Sequence, residues 1–123
     1  MALNYYKNEL KENAQLLASK GKGILAVDES TKTVGKRLAG IGVENTEENR
    51  KAYRGMLFTT EGLGKYISGA ILFEETLYQN HQDGESMVKK LNDLGIIPGI
   101  KVDKGLNPLP GGGDVETFCS GLD

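Results

Sequence analysis

The fold is decided by a run of five small or apolar residues that leads directly into four polar ones, Gly23-Ile24-Leu25-Ala26-Val27-Asp28-Glu29-Ser30-Thr31. A near-continuous apolar run of this length predicts a strand buried in a parallel sheet. Two further runs predict strands over residues 69–73 and 96–102. Helical patterns lie before and between these runs, over residues 3–19, 33–39, 46–60 and 87–94. The alternation indicates an α/β protein with parallel strands.

The composition fits one globular domain with nearly balanced charge. The 123 residues include 15 Lys and Arg and 17 Asp and Glu, which gives a net charge of −2. This balance argues against non-specific nucleic-acid binding, which depends on clustered positive charge. The longest apolar stretch, residues 69–73, is far shorter than a membrane span of about 20 residues. With no recognisable targeting segment at the start, the sequence predicts a cytosolic protein that binds neither nucleic acid nor membranes.

Metal and nucleotide sites find little support in the sequence. His81 and Cys119 are the only histidine and the only cysteine, too few for a disulfide scaffold or the usual zinc site. A P-loop is excluded because Ser30 stands where that motif requires glycine and Arg37 where it requires Ser or Thr. We therefore predict no metal and no cofactor.

The polar segment after the first predicted strand is a candidate anion site. Hydroxyls and free amides at the start of a helix face an anion, and the helix dipole favours its binding. Lys32 and Lys36 add positive charge nearby, and Arg37 can hold a phosphate with two donors. In the alternative interpretation, Ser30 and Thr31 only cap the helix and the basic residues form a solvated face.

A second candidate constellation lies where the predicted strands end. Strand alternation places Lys101 and Asp103 on one side of the third strand, while Ile100 and Val102 face away toward covering helices. Asp28 directly follows the first strand. Parallel α/β proteins place reactive groups at the carboxyl ends of their strands. The alternative is a structural ion pair without a catalytic role.

Five collinear segments together resemble a known family. They are residues 23–31, 35–38, 44–50, 71–79 and 99–105, with the sequences GILAVDEST, GKRL, ENTEENR, ILFEETLYQ and GIKVDKG. These motifs are similar to those of class I fructose-1,6-bisphosphate aldolase, and they match roughly the first third of that family's (β/α)₈ TIM-barrel chain. The resemblance implies that residues 1–123 form an incomplete barrel domain, truncated at its C-terminal end, with about three strands and their helices.

The resemblance also implies an activity and residue roles. The activity is reversible, metal-independent Schiff-base cleavage of fructose 1,6-bisphosphate to dihydroxyacetone phosphate and glyceraldehyde 3-phosphate. Asp28 matches an aspartate that moves protons around the cleaved carbon–carbon bond, and Lys101 matches an active-site lysine that stabilises charge. Four residues match positions associated with substrate phosphate: Ser30, Thr33, Arg37 and Arg50.

Two departures from the family qualify this picture. Lys32 stands where the family usually has glycine, and the family's Schiff-base lysine and acid/base glutamate lie in later strands. We therefore expect the isolated chain to be inactive. The resemblance also implies an assembly, since the full-length family is typically homotetrameric. We also expect Lys101 to stay protonated beside Asp28 and Asp103, which excludes it as the Schiff-base nucleophile. The alternative function is a non-catalytic phosphate-binding or interaction fragment.

Overall fold

A parallel three-stranded sheet forms the centre of the computed structural model, which describes residues 5–122. The strands are β1 (Gly23–Val27), β2 (Ile67–Leu72) and β3 (Ile97–Ile100), in the spatial order β1-β2-β3. The α/β prediction is therefore confirmed. Phe73, predicted as the end of β2, is instead the N-cap of the following helix, because the two glutamates after it begin a helical turn.

Six helices occur within residues 5–122: α1 (Lys7–Leu17), α2 (Thr31–Ala39), α3 (Glu47–Phe58), α4 (Leu63–Tyr66), α5 (Glu74–Leu77) and α6 (Met87–Asp93). Hydroxyl side chains cap the longer helices after α1. Thr46, the first residue of the pattern that predicted a helix over residues 46–60, caps α3, since its Oγ1 accepts a hydrogen bond from the amide of Asn49 at 3.2 Å. The two four-residue helices, α4 and α5, were not predicted because they are too short to show a period. Residues 3–4 of the predicted first helix lie outside the described residues.

The core lies between one face of the sheet and the helices α3 and α6. Its members are at most 1% exposed and come from both strands and helices: Val27, Phe58, Ala70, Leu72, Met87, Leu91 and Ile96. Full burial of a large apolar side chain contributes about 1.5–3 kcal/mol. This core therefore fixes the strands and orients the polar residues that follow them.

The edge strand β3 departs from the prediction. Ile100 pairs in register with buried Leu72, yet it is 41% exposed, and Val102 is 60% exposed. The prediction that these two side chains meet covering helices is wrong. Within residues 5–122, the chain after β3 forms an antiparallel hairpin of β4 (Leu106–Pro108) and β5 (Thr117–Cys119) instead of a helix. The sequence did not predict this hairpin, because a proline and closely spaced glycines are unusual within strands.

The amino ends of the strands are joined to α1 by neutral contacts. The Ser68 hydroxyl donates to the carbonyl oxygen of Leu17 at 2.8 Å and lies 3.3 Å from that of Gly23. At Gly69 a Cβ would lie 2.3 Å from Leu17 Cδ2, so a larger residue would require the Leu17 side chain to move. Among the described residues, no helix is long and apolar enough to cross a membrane.

Candidate active site

The three residues that directly follow the strands form a row. Strand register aligns Val27 with Leu72 and Leu72 with Ile100. The next residues along the chain are therefore neighbours at the carboxyl edge of the sheet: Asp28, Phe73 and Lys101. The Lys101 amide donates to the Leu72 carbonyl oxygen at 2.9 Å, which extends the pairing to the end of the row. The predicted meeting of Asp28 and Lys101 at one sheet edge follows from this register.

A cleft of about 570 Å³ opens beside Phe73 and Lys101, whereas Asp28, Thr33 and Arg37 are not among the residues that border it. Phe73 forms one wall, and Lys101 and Asp103 form another. Ser30, at the start of α2, borders the same space. The sheet edge and the helix start thus contribute polar groups to one cavity, large enough for a small polar ligand.

Lys101 is held as an ammonium ion. Its Nζ donates a hydrogen bond to Asp103 Oδ2, and Asp103 Oδ1 accepts from the Gly105 amide at 3.0 Å. The bonded Asp103 carboxylate raises the pKa of Lys101, and the charge of Asp28 adds to this effect. The same hydrogen bond lowers the pKa of Asp103. Lys101 can therefore act as a fixed positive charge, whereas a lysine nucleophile must be neutral.

The start of α2 brings two hydroxyls together. The Ser30 Oγ accepts from the Thr33 amide at 3.3 Å and lies 3.1 Å from Thr33 Oγ1. Ser30 therefore caps the helix, as the alternative interpretation of this segment requires. Its position on the cleft leaves it within the candidate site as well.

Arg37 lies one turn further along α2. It is held in place, although its side chain is 56% exposed. Its Nη2 lies 2.9 Å from Glu29 Oε1, and its Nη1 donates to the Tyr53 hydroxyl at 3.0 Å. The guanidinium is thus oriented by two neighbours and remains accessible to solvent. An accessible, oriented guanidinium is suited to an anionic group.

Arg50 has different surroundings. It is buried, and its guanidinium forms a two-pronged ion pair with Glu75, with Nη2–Oε1 at 2.5 Å and Nε–Oε2 at 2.9 Å. Its Nη1 also donates to Asn45 Oδ1 at 3.0 Å. The structure does not place Arg50 among the residues that border the cleft. Its phosphate contact stays a prediction, and it would require this ion pair to open.

Arg54, one helical turn after Arg50, completes a charged cluster that no sequence motif revealed. Its side chain is fully buried, and its Nη1 lies 3.1 Å from Glu75 Oε2. The hydrogen bond from Arg50 lowers the pKa of Glu75 and, in return, raises that of Arg50. Burial lowers the pKa of Arg54, but a guanidinium stays charged at neutral pH. The spacing of the two arginines on one helix face was the available signal.

The described residues contain no group of three His, Cys, Asp or Glu side chains arranged to hold a metal ion. The polar side chains that line the cleft are instead two lysines, two carboxylates and one hydroxyl: Lys101, Lys104, Glu74, Asp103 and Ser30. This set can bind an anion and hold or move a proton at a carboxylate.

The chain spans only part of the relatives that it matches. It is 62% identical to the chloroplastic fructose-bisphosphate aldolase of Spinacia oleracea and 61% identical to the chloroplastic aldolase 3 of Arabidopsis thaliana. Each match covers 96% of this chain but 30% of the relative. Both relatives are named as chloroplastic proteins, as are relatives from rice and pea. These names contradict the prediction of a cytosolic compartment, and that prediction is therefore wrong.

A solved structure and a family model agree with these matches. The fructose-bisphosphate aldolase of Plasmodium falciparum, solved in complex with TRAP and a small-molecule inhibitor, superposes with a TM-score of 0.89 at 57% identity. That match covers 94% of this chain and 33% of the solved chain. The model of the class I fructose-bisphosphate aldolase family matches residues 9–123. The chain therefore belongs to the class I fructose-bisphosphate aldolase family.

Proposed function

We propose that this chain forms the first three β/α units of a (β/α)₈ barrel and contributes one side of an aldolase active site. The observation that carries the proposal is the row of Asp28, Phe73 and Lys101 at the carboxyl edge of the sheet, of which Phe73 and Lys101 line a cleft. Barrel enzymes place their chemistry at this edge. The substrate class is a sugar bisphosphate, and the reaction is reversible carbon–carbon cleavage through a Schiff base.

The exposed face of the sheet supports the barrel. Ile24 lies on the face opposite α3 and α6, near Leu17 of α1, and is 53% exposed. Ile71 and Gly99 share that face through the register of β2 and β3. In a closed barrel this face packs against side chains of other strands, which removes apolar surface from water.

The residues divide into two roles in the proposed reaction. Asp28 takes and returns a proton near the cleaved bond, and the Lys101 ammonium stabilises negative charge that develops on a substrate oxygen. Ser30, Thr33 and Arg37 bind one phosphate at the start of α2, where backbone amides and the helix dipole add to the attraction. Lys32, the second residue of α2, adds an exposed positive charge beside them.

The relatives also suggest a compartment. We propose a plastid location, because the plant relatives are named as chloroplastic. The homotetramer that is typical of the full-length family stays a prediction.

A chimaera tests the proposed activity. This chain replaces the matching segment of the spinach relative, and cleavage of fructose 1,6-bisphosphate is measured. Asp28→Asn and Lys101→Met are each expected to lower kcat by about 100-fold or more, since each removes a group that acts on the reacting atoms. Lys89→Met, at an exposed lysine on α6 that pairs with Asp93, is the matched control and should leave kcat unchanged.

Borohydride trapping separates the two possible roles of Lys101. With dihydroxyacetone phosphate, the Lys101→Met chimaera should still form the reduced adduct at another lysine, and residues 1–123 alone should form none. A reduced adduct located on Lys101 by mass spectrometry would show that Lys101 is the nucleophile and would contradict the assignment. Full turnover in Asp28→Asn would contradict the proposed role of Asp28.

A further inference from the structure

The guanidinium of Arg54 is completely buried and makes three contacts. Its Nη1 lies 3.1 Å from Glu75 Oε2, its Nη2 donates to the Glu29 carbonyl oxygen at 2.7 Å, and its central carbon lies 5.3 Å from the centroid of the Phe73 ring. Its Nε has no hydrogen-bond partner among residues 5–122. Burial of a guanidinium is costly, and apolar residues of similar volume often stabilise a fold equally well. The fold alone does not account for this arginine.

Neutralisation of the Glu75 carboxylate does not account for the buried Arg54 side chain either. Arg50 already binds both carboxylate oxygens of Glu75, at 2.5 and 2.9 Å. The bond from Arg54 to Glu75 is longer and is made to an oxygen that Arg50 also holds. The shortest contact of Arg54 is with the neutral Glu29 carbonyl, and Arg50 makes no corresponding bond to the backbone of this strand exit.

The contacts of Arg54 join the exits of two strands at the candidate site. Glu29 directly follows Asp28, so a hydrogen bond to its carbonyl fixes the direction of the chain as it leaves the proposed proton-transfer residue. Phe73 directly follows β2 and forms a wall of the cleft. Helix α3 carries Arg54 and packs in the core through Phe58. Both strand exits therefore contact a side chain of the same core helix.

We propose that Arg54 is a positioning residue for the reaction, which fixes Asp28 through the Glu29 carbonyl and Phe73 through contact with its ring. This inference rests on the proposed function, since it requires Asp28 to act on the substrate. Arg54 itself does not border the cleft. A small displacement of a catalytic group lowers the rate of reaction more than it weakens substrate binding.

The test compares Arg54→Met in two backgrounds of the spinach chimaera, the parent and Asp28→Asn. Turnover is expressed per site that borohydride can trap, so that unfolded protein is not counted. In the parent background, kcat should fall about tenfold while KM changes less than about threefold. In the Asp28→Asn background, the same substitution should change the residual kcat less than about twofold, because the group that it positions is already absent.

Two further variants keep the inference falsifiable. Arg54→Lys retains the charge without the forked donors, and it should show the same dependence on Asp28 even where Arg54→Met folds poorly. Ser68→Ala, at the opposite end of β2, should lower stability with an unchanged kcat per trapped site in both backgrounds. An equal fold-loss from the Arg54 variants in both backgrounds, or no loss in the parent, would overturn the inference. Full turnover in Asp28→Asn alone would instead contradict the proposed function.

Discussion

The two ends of the three-stranded sheet are held together by different chemistry. At the amino ends, the neutral Ser68 hydroxyl joins β2 to the carbonyls of Leu17 and Gly23. At the carboxyl ends, Glu75 holds two buried arginines, and Lys101 pairs with Asp103. Neutral hydrogen bonds need little desolvation, whereas buried charges are costly and require specific partners. This contrast underlies the proposal that the amino end serves stability and that the carboxyl end carries its charges for function.

The largest effect is expected at Glu75. Glu75→Gln leaves Arg50 and fully buried Arg54 without their shared carboxylate, so the free energy of unfolding should fall by about 3–5 kcal/mol. Urea denaturation of the chimaera measures this loss. Glu74→Gln, at the exposed neighbouring glutamate, should cost far less. Equal losses would show that the charged cluster contributes nothing specific to the carboxyl end.

The second effect concerns phosphate binding at Arg37. Arg37→Ala should weaken binding of a sugar bisphosphate by about 1.5–3 kcal/mol, the range for a hydrogen bond to a charged group. Calorimetric titration of the chimaera measures the change. The loss of contacts with Glu29 and Tyr53 should alter stability little, since Arg37 is half exposed.

Lys32→Gly is the comparison for Arg37→Ala. Lys32 is exposed, so its removal should weaken binding by less than about 1 kcal/mol and the effect should shrink as salt is added. Bisphosphate binding that survives Arg37→Ala unchanged would show that this segment is only a capped helix start.

A smaller effect is expected at the amino end. Ser68→Ala removes the hydroxyl that lies near two backbone carbonyls, which should lower the free energy of unfolding by about 1 kcal/mol. The kcat of the chimaera should not change, because the hydroxyl lies at the end of the sheet opposite the cleft. A fall in kcat at constant stability would remove the functional distinction between the two ends.

The smallest effect lies outside both ends, at the Asp83–Lys90 pair beside α6. The hydrogen bond from Lys90 lowers the pKa of Asp83 to about 2. Since the unfolded-state pKa is higher, about 3.9, the pair stabilises the fold above that pH and loses this contribution as the pH falls toward 2. An NMR titration of the Asp83 carboxyl measures the shift, and Lys90→Met should return the pKa toward its ordinary value. An unchanged titration in Lys90→Met would assign the shift to another neighbour.

Elements with a strong local pattern were predicted well. β1 matches its predicted bounds, and Thr46, at the start of a predicted helix, caps α3. Gly95, directly after the helix predicted over residues 87–94, follows α6 with a positive φ of 68°, a conformation that favours glycine. The short helices α4 and α5 and the hairpin of β4 and β5 were missed, because three or four residues are too few to show a period. The exposure of Ile100 and Val102 was also missed, since it depends on what packs against an edge strand.

The sequence by itself determined the parallel α/β character, Ser30 as a candidate helix cap, and the position of Asp28 and Lys101 at strand exits. These features follow from alternation, from capping chemistry and from motifs that are continuous in the chain. The predicted start of α2 at residue 33 was two residues late, since the helix begins at Thr31. Only the tertiary structure decided the use of the arginines. Arg37 remained accessible and Arg50 was committed to Glu75, while Arg54 was directed to the Glu29 carbonyl. The partner of a charged side chain depends on which strands are neighbours and which helix face packs against them, so residues 21 to 25 positions apart along the chain meet without any local signal.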